Sequence, residues 1–153
     1  EGVTGYRAGE RVAVEPLIYC GRCYACRRGY YNQCYTVGFV GINRDGGFAE
    51  YVIVDEHMLH PLPDHVSFEE GALVEPTAVS LYAVRESKLK PGDPVAIFGV
   101  GPIGLLTLLC VKAAGASQII AVDLSEEHLK LAQQLGATTV LEGRREDIAQ
   151  TIL

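Results

Sequence analysis

The 153-residue sequence predicts an α/β fold in two parts, and three observations carry that reading. Four cysteines crowd into residues 20–34, in a half otherwise made of short β-type runs, turns and prolines. From residue 75 the apolar period becomes helical, and helical stretches then alternate with short apolar runs. A glycine-rich turn, Gly99-Val100-Gly101-Pro102-Ile103-Gly104, stands where the first of those runs meets the next helix. Strands alternating with helices require a parallel sheet, because parallel neighbours are joined by helical crossovers. The expected domains are residues 1–76, a unit of β-structure and loop, and 77–153, the first half of a doubly wound parallel sheet.

Tyr6 to Glu10 has turn composition, and Arg11 to Glu15 is a β-rich run closed by Pro16. Gly46-Gly47 marks a turn, Phe48 to Asp55 reads as a strand, and Pro61 and Pro63 punctuate an irregular connection. Ala78, Val79, Leu81, Tyr82, Ala83 and Val84 recur at helical spacing, with Pro76 tolerable in the first turn and Lys90-Pro91-Gly92-Asp93 as the stop. Val95 to Phe98 is expected as a buried strand, Ile103 to Ala114 as an apolar helix ending near Gly115, and Ile119 to Val122 as a second strand. Ser125 can cap a third helix, with Glu126 and Glu127 in its first turn, Leu124 and Leu129 as a hydrophobic staple and Gly136 as its stop. Thr138 to Leu141 completes a β-α-β-α-β order.

Net charge is −6, with six basic and eleven acidic residues in 1–77 and seven against eight in 78–153. No basic patch emerges, which argues against nucleic acid as a partner. An apolar run of about 18 residues, the minimum for a membrane span, is lacking, so a soluble, cytoplasmic protein is expected. The opening Glu1-Gly2-Val3-Thr4-Gly5 reads like the tail of a strand and turn already under way, so the chain is expected to be an internal fragment.

Cys20, Cys23, Cys26 and Cys34 form a C-x2-C-x2-C-x7-C run. Such spacing suits a closed tetrahedral zinc site, which stabilises a lobe and leaves no coordination position for chemistry. The rivals are an iron–sulfur cluster, whose ferredoxin runs keep a three-residue gap and a following proline, and a pair of disulfides, which suit small secreted chains. Here the last gap is seven residues and Tyr35 follows, so the spacing favours zinc. Arg22, Arg27 and Arg28 sit among the thiolates, either offsetting the charge of a zinc tetrathiolate or serving as ordinary surface charge.

The glycine turn has the GxGxxG form, follows an expected strand, opens an expected helix, and precedes Asp123 at the end of the next strand. In that context Gly99 permits the tight turn, Gly101 lets backbone approach a pyrophosphate, and Gly104 lets helix and strand pack closely. Asp123 would accept from the adenosine ribose hydroxyls and repel a 2′-phosphate, favouring NAD over NADP; its plainer reading is a strand-end cap. Ile103 is placed as an apolar wall near a nicotinamide or as a core residue. His57, His60, His65 and His128 are read as solvated side chains, Cys110 as a packed core thiol, and Glu15-Pro16 as lining a cleft or ending a strand.

A four-cysteine zinc lobe followed by a Rossmann unit resembles the zinc-containing medium-chain alcohol dehydrogenase family. The likeness extends through Gly46-Gly47-Phe48-Ala49-Glu50-Tyr51 and Lys90-Pro91-Gly92-Asp93. Val40-Gly41, Val54-Asp55-Glu56-His57-Met58, Gly71-Ala72-Leu73-Val74-Glu75-Pro76 and Ala83-Val84-Arg85 resemble its polyol and diol branch, the butanediol dehydrogenases above all. The resemblance implies a GroES-like catalytic domain, the first half of a Rossmann domain, NAD, the structural zinc and a second, catalytic zinc acting as a Lewis acid. It also implies that Glu75 is a ligand of the second zinc, directly or through water; without it Glu75 reads as a helix N-terminal carboxylate. The family's first catalytic cysteine and its Gly-His-Glu motif are not in this sequence, so the fragment is expected to be inactive by itself. The parent is expected to oxidise a secondary alcohol of a small diol or polyol to a ketone, as a homodimer or homotetramer. The alternatives are a threonine or sorbitol dehydrogenase, and a non-catalytic NAD-binding or zinc-stabilised interaction protein on the same scaffold. The zinc-free quinone reductase branch normally lacks the cysteine lobe.

Overall fold

Short β-branched runs broken by prolines give only short ladders in the first part of the computed structural model, which describes residues 3–144 and 147–152. The elements there are β1 (Val12–Val14), β2 (Leu17–Ile18), α1 (Tyr24–Arg27), β3 (Gly38–Phe39), β4 (Leu59–Pro61) and α2 (Phe68–Ala72). Strand β1 pairs antiparallel with β4, and β2 with β3. Helix α2 opens on a capping box: Glu70 N–H donates to Ser67 Oγ at 3.0 Å, and Ser67 N–H donates to the Glu70 carboxylate at 2.7 Å.

The strand expected over Phe48 to Asp55 does not form among the described residues. Its β-type composition is present, but a strand exists only where a neighbour completes the hydrogen-bond ladder. No described segment pairs with it, and Phe48, Tyr51 and Ile53 stand almost fully exposed.

The chain divides into two compact units, Glu1–Ala72 and Leu73–Leu153. The second contains α3 (Val74–Glu86), β5 (Pro94–Phe98), α4 (Pro102–Ala113), β6 (Gln118–Asp123), α5 (Glu126–Leu135), β7 (Thr139–Glu142) and α6 (Ile148–Ile152). Helix α3 stops short of the expected Lys90 because Lys88 adopts a left-handed φ of 59°, which ends a helix. Strands β5, β6 and β7 form a parallel sheet in that order, Phe98 opposite Val122 and Asp123 opposite Glu142.

Alternation along β6 builds a core on each face. Ile119 and Ala121 pack with Leu108, Val111, Leu129 and Ala132. Ile120 and Val122 join Leu141, with Ala96, Ile148 and Ile152 against them. Strand β5 is less buried than expected at its carboxyl end, where Phe98 opens into a cleft instead of the core. Leu108 is fully buried on α4. Leu108→Ala should therefore cost about 2–5 kcal/mol in the denaturant unfolding of this unit, with no change in far-ultraviolet circular dichroism below the transition.

Candidate functional site

In the cysteine lobe, Gly21 at φ 68° turns the chain between the first two cysteines, and α1 carries Cys26 into the interior. The Sγ atoms of Cys20, Cys23, Cys26 and Cys34 all lie within 4.8 Å of one another, and none is disulfide-bonded. Zinc–sulfur bonds of about 2.3 Å give a tetrahedron with edges near 3.8 Å. The Cys20 to Cys26 separation of 4.0 Å already approaches that edge, so the four donors fit a structural zinc. Backbone donors point at the sulfurs: Cys20 N–H to Cys34 at 3.3 Å, Cys23 N–H to Cys20 at 3.3 Å and Thr36 N–H to Cys34 at 3.4 Å.

Those donors divide the thiols. The Cys20 N–H leads in lowering Cys34 to about 6, while burial pushes Cys26 up to about 12. Arg22, Arg27 and Arg28 are exposed around the lobe, and Arg28 donates to the Tyr24 hydroxyl at 2.7 Å.

The second candidate lies at the carboxyl ends of the parallel strands. Gly99 adopts φ 85°, a conformation that favours glycine, and its N–H donates to Val122 O at 2.8 Å. A Cβ at Gly104 would drive into the Gly99 carbonyl, whereas one at Gly101 would meet open space. Gly104 therefore permits close packing of α4 on β5, and the face of the turn at Gly101 is open to a ligand. Pro102 holds the first position of α4, and no side chain caps that helix. Its free backbone donors and positive dipole end suit a diphosphate.

Asp123 ends β6. Its Oδ2 accepts from Val100 N–H at 2.7 Å and its Oδ1 from Ser125 N–H at 2.8 Å. These bonds, the Ser125 one foremost, lower its pKa and keep it ionised. Phe98, Gly99, Val122, Asp123, Leu124, Gly143 and Ile148 line an adjoining cleft of about 370 Å³. An apolar wall beside one carboxylate matches the needs of an adenosine: a flat ring to cover and ribose hydroxyls to bind. Leu124, expected to staple onto Leu129, is instead 61% exposed at this cleft.

Glu75 stands exposed in the first turn of α3. The four cysteines are the only group of three or more ligand-type side chains close enough to share a metal among the described residues. The residues present therefore do not make a second metal site by themselves. Ser80, one turn further along α3 and fully buried, lies 3.2 Å from both the Pro76 and Ile103 carbonyl oxygens, tying α3 to the first turn of α4.

His57, His60 and His65 are exposed as expected, His57 edge-on to Tyr19 and His60 within 3.2 Å of Glu15. Cys110 packs against the core, and its pKa is raised by burial. His128 keeps solvent contact, as expected, but its Nδ1 also lies 3.3 Å from Asp123 Oδ1, a partner not expected of a solvated side chain. Its place in the turn capped by Ser125, five residues after Asp123, was the available signal.

Residues 1–64 match the alcohol dehydrogenase GroES-like domain, and residues 102–153 match the zinc-binding dehydrogenase domain. The chain belongs to the zinc-containing alcohol dehydrogenase family. Over 153 residues it is 50% identical to (R,R)-butanediol dehydrogenase of Bacillus subtilis (strain 168), an alignment covering 99% of this chain and 43% of that protein. Sorbitol dehydrogenase of the same organism is 41% identical over 151 residues, covering 98% and 43%. A structure from Sinorhizobium meliloti 1021, described as a zinc-binding dehydrogenase bound to NADP, superposes with a TM-score of 0.94 at 38% identity, covering 98% of this chain and 44% of that one. The chain thus spans less than half the length of the curated relatives it matches.

Metal analysis of the purified protein should return one zinc at the cysteine lobe, lost on Cys26→Ser. In zinc-free protein the depressed Cys34 favours the folded lobe fully above the ordinary thiol pKa of about 8.5, and that contribution disappears as pH falls through about 6. Thiolate absorbance should accordingly show an early step near pH 6 that Cys34→Ser removes.

Proposed function

We propose that the protein carrying this chain is a zinc-dependent, NAD-linked dehydrogenase that reversibly oxidises a secondary alcohol of a vicinal diol or polyol to its ketone. The observation that carries the nucleotide half is the open glycine turn latched to an ionised Asp123. In this reading Gly99, Val100, Gly101, Pro102 and Gly104 hold the diphosphate, Asp123 binds the adenosine ribose, and Ile103 walls the nicotinamide. The four cysteines hold the structural zinc. Support for the diol or polyol substrate is the 50% and 41% identity to butanediol and sorbitol dehydrogenases.

When bound, zinc would supply Lewis acidity to the substrate hydroxyl and NAD would supply the hydride acceptor, with the hydroxyl proton released to solvent. In this reading Glu75 is the residue of this chain that would meet that metal, directly or through water. The Ser80 bond between α3 and α4 fixes how far Glu75 stands from the glycine turn.

A scaffold protein that binds NAD without turnover is the second reading, favoured by the single metal group among the described residues. The zinc-loaded protein that carries this chain, unlike residues 1–153 alone, should reduce NAD with (R,R)-butanediol or sorbitol, read at 340 nm. Glu75→Ala should lower kcat/KM at least about tenfold while NAD binding and the cysteine-bound zinc are retained. NAD binding without turnover on any diol or polyol would select the scaffold reading.

A further inference from the structure

The roles assigned above leave a titratable ring at the nucleotide cleft without one. His128 sits in the first turn of α5, its N–H bound to Ser125 Oγ at 3.4 Å. Its side chain is 43% exposed, against 13% for Asp123, so the cap fixes its backbone while the ring reaches both the carboxylate and solvent. Nδ1 lies 3.3 Å from Asp123 Oδ1, and Nε2 has no partner among the described residues.

Two partners of one oxygen lie within about 6 Å of each other, twice a hydrogen-bond length. A ribose hydroxyl donating to Asp123 Oδ1 is thus close to His128, and a phosphate on that ribose comes within reach of the ring. With the ring neutral, the Asp123 charge opposes a 2′-phosphate. Once protonated, the ring offsets that charge and offers a charged donor to the phosphate.

The remaining charged groups on elements packed against α5 are Glu142 on β7 and Lys112 on α4. Lys112 is engaged at the far end with Leu135 O at 3.0 Å. Arg144, just past β7, is 3.9 Å from Glu142. On α5 itself, Glu126 pairs with Lys130 at 2.8 Å and Glu127 precedes His128. Of these and Asp123, only Asp123 is within hydrogen-bond distance of the ring.

We propose that His128 is a specificity-determining residue that makes the choice between NAD and NADP depend on pH, admitting the 2′-phosphate when its ring is protonated. The proposal rests on the glycine turn being a dinucleotide site. It adds a determinant to Asp123, which alone would exclude NADP at every pH where it is ionised.

The test is calorimetric titration of the zinc-loaded protein with NAD and with NADP between pH 8.5 and 5.5, in wild type, His128→Gln and His128→Arg. Glutamine keeps a donor for Asp123 but takes no charge; arginine is charged throughout. In wild type the NADP Kd should fall about tenfold or more on acidification, the effect of one added charge contact, while the NAD Kd changes little. His128→Gln should bind NADP weakly at both ends of the range, and His128→Arg tightly at both. The 2′-phosphate itself takes up a proton near pH 6, and the glutamine variant carries that effect equally, so the difference between proteins isolates the ring. NAD binding with the same NADP pH dependence in wild type and glutamine variant would overturn the role of His128 alone. NAD binding with no NADP binding at any pH in wild type would likewise overturn the role of His128 alone, and failure of both nucleotides to bind would remove the dinucleotide site itself, and the proposal with it.

Discussion

One carboxylate holds the nucleotide half together. Asp123 takes the Val100 N–H on one oxygen and the Ser125 N–H on the other, so a single side chain joins the glycine turn to the start of the next helix. Gly99 N–H to Val122 O and Gly143 N–H to Asp123 O fasten the same strand end through backbone alone. Bonds from N–H groups to an ionised acceptor are stronger than neutral ones, and three loops meet where they converge. The cleft takes its shape from that convergence. In the proposed reading, ligand recognition and loop geometry share the same two oxygens.

The two units are stabilised by different physics. In the second, a sheet with apolar side chains on both faces sinks into helices, leaving Leu108, Val100, Ala121 and Ala132 without solvent contact. In the first, the buried hydrophobic residues are Ala25, Cys26, Cys34 and Met58 alone among those described. So few buried groups supply little transfer free energy, and two of the four are cysteines of the metal cluster. Metal coordination takes the place of a core there, as in other small zinc-held lobes.

What could be read from sequence follows the range of the interactions that decide each feature. Gly99, Ser125 and Gly136 were legible because a positive φ or a cap three residues away settles them locally. The cysteine cluster was legible because spacing limits where four thiolates can go. Phe48 to Asp55 has strand composition, but pairing depends on a distant neighbour that composition does not specify. Ser80 is ordinary in sequence and fully buried in structure, because α4 covers it. Glu75 has no local signature that separates a ligand from a dipole-stabilising carboxylate, and its assignment rests on the family resemblance. His128 could have been placed beside Asp123 from the Ser125 cap, yet histidines in a helix first turn are usually read as solvated.

The bare stretch around Phe48, Tyr51 and Ile53 has a consequence for assembly. From Gly46 to Val54 its backbone makes no hydrogen bond with other described residues, and its large side chains face water. Amide and carbonyl groups in that condition are a template for any extended segment that arrives. An extended segment that pairs there would complete the ladder and take those side chains out of water.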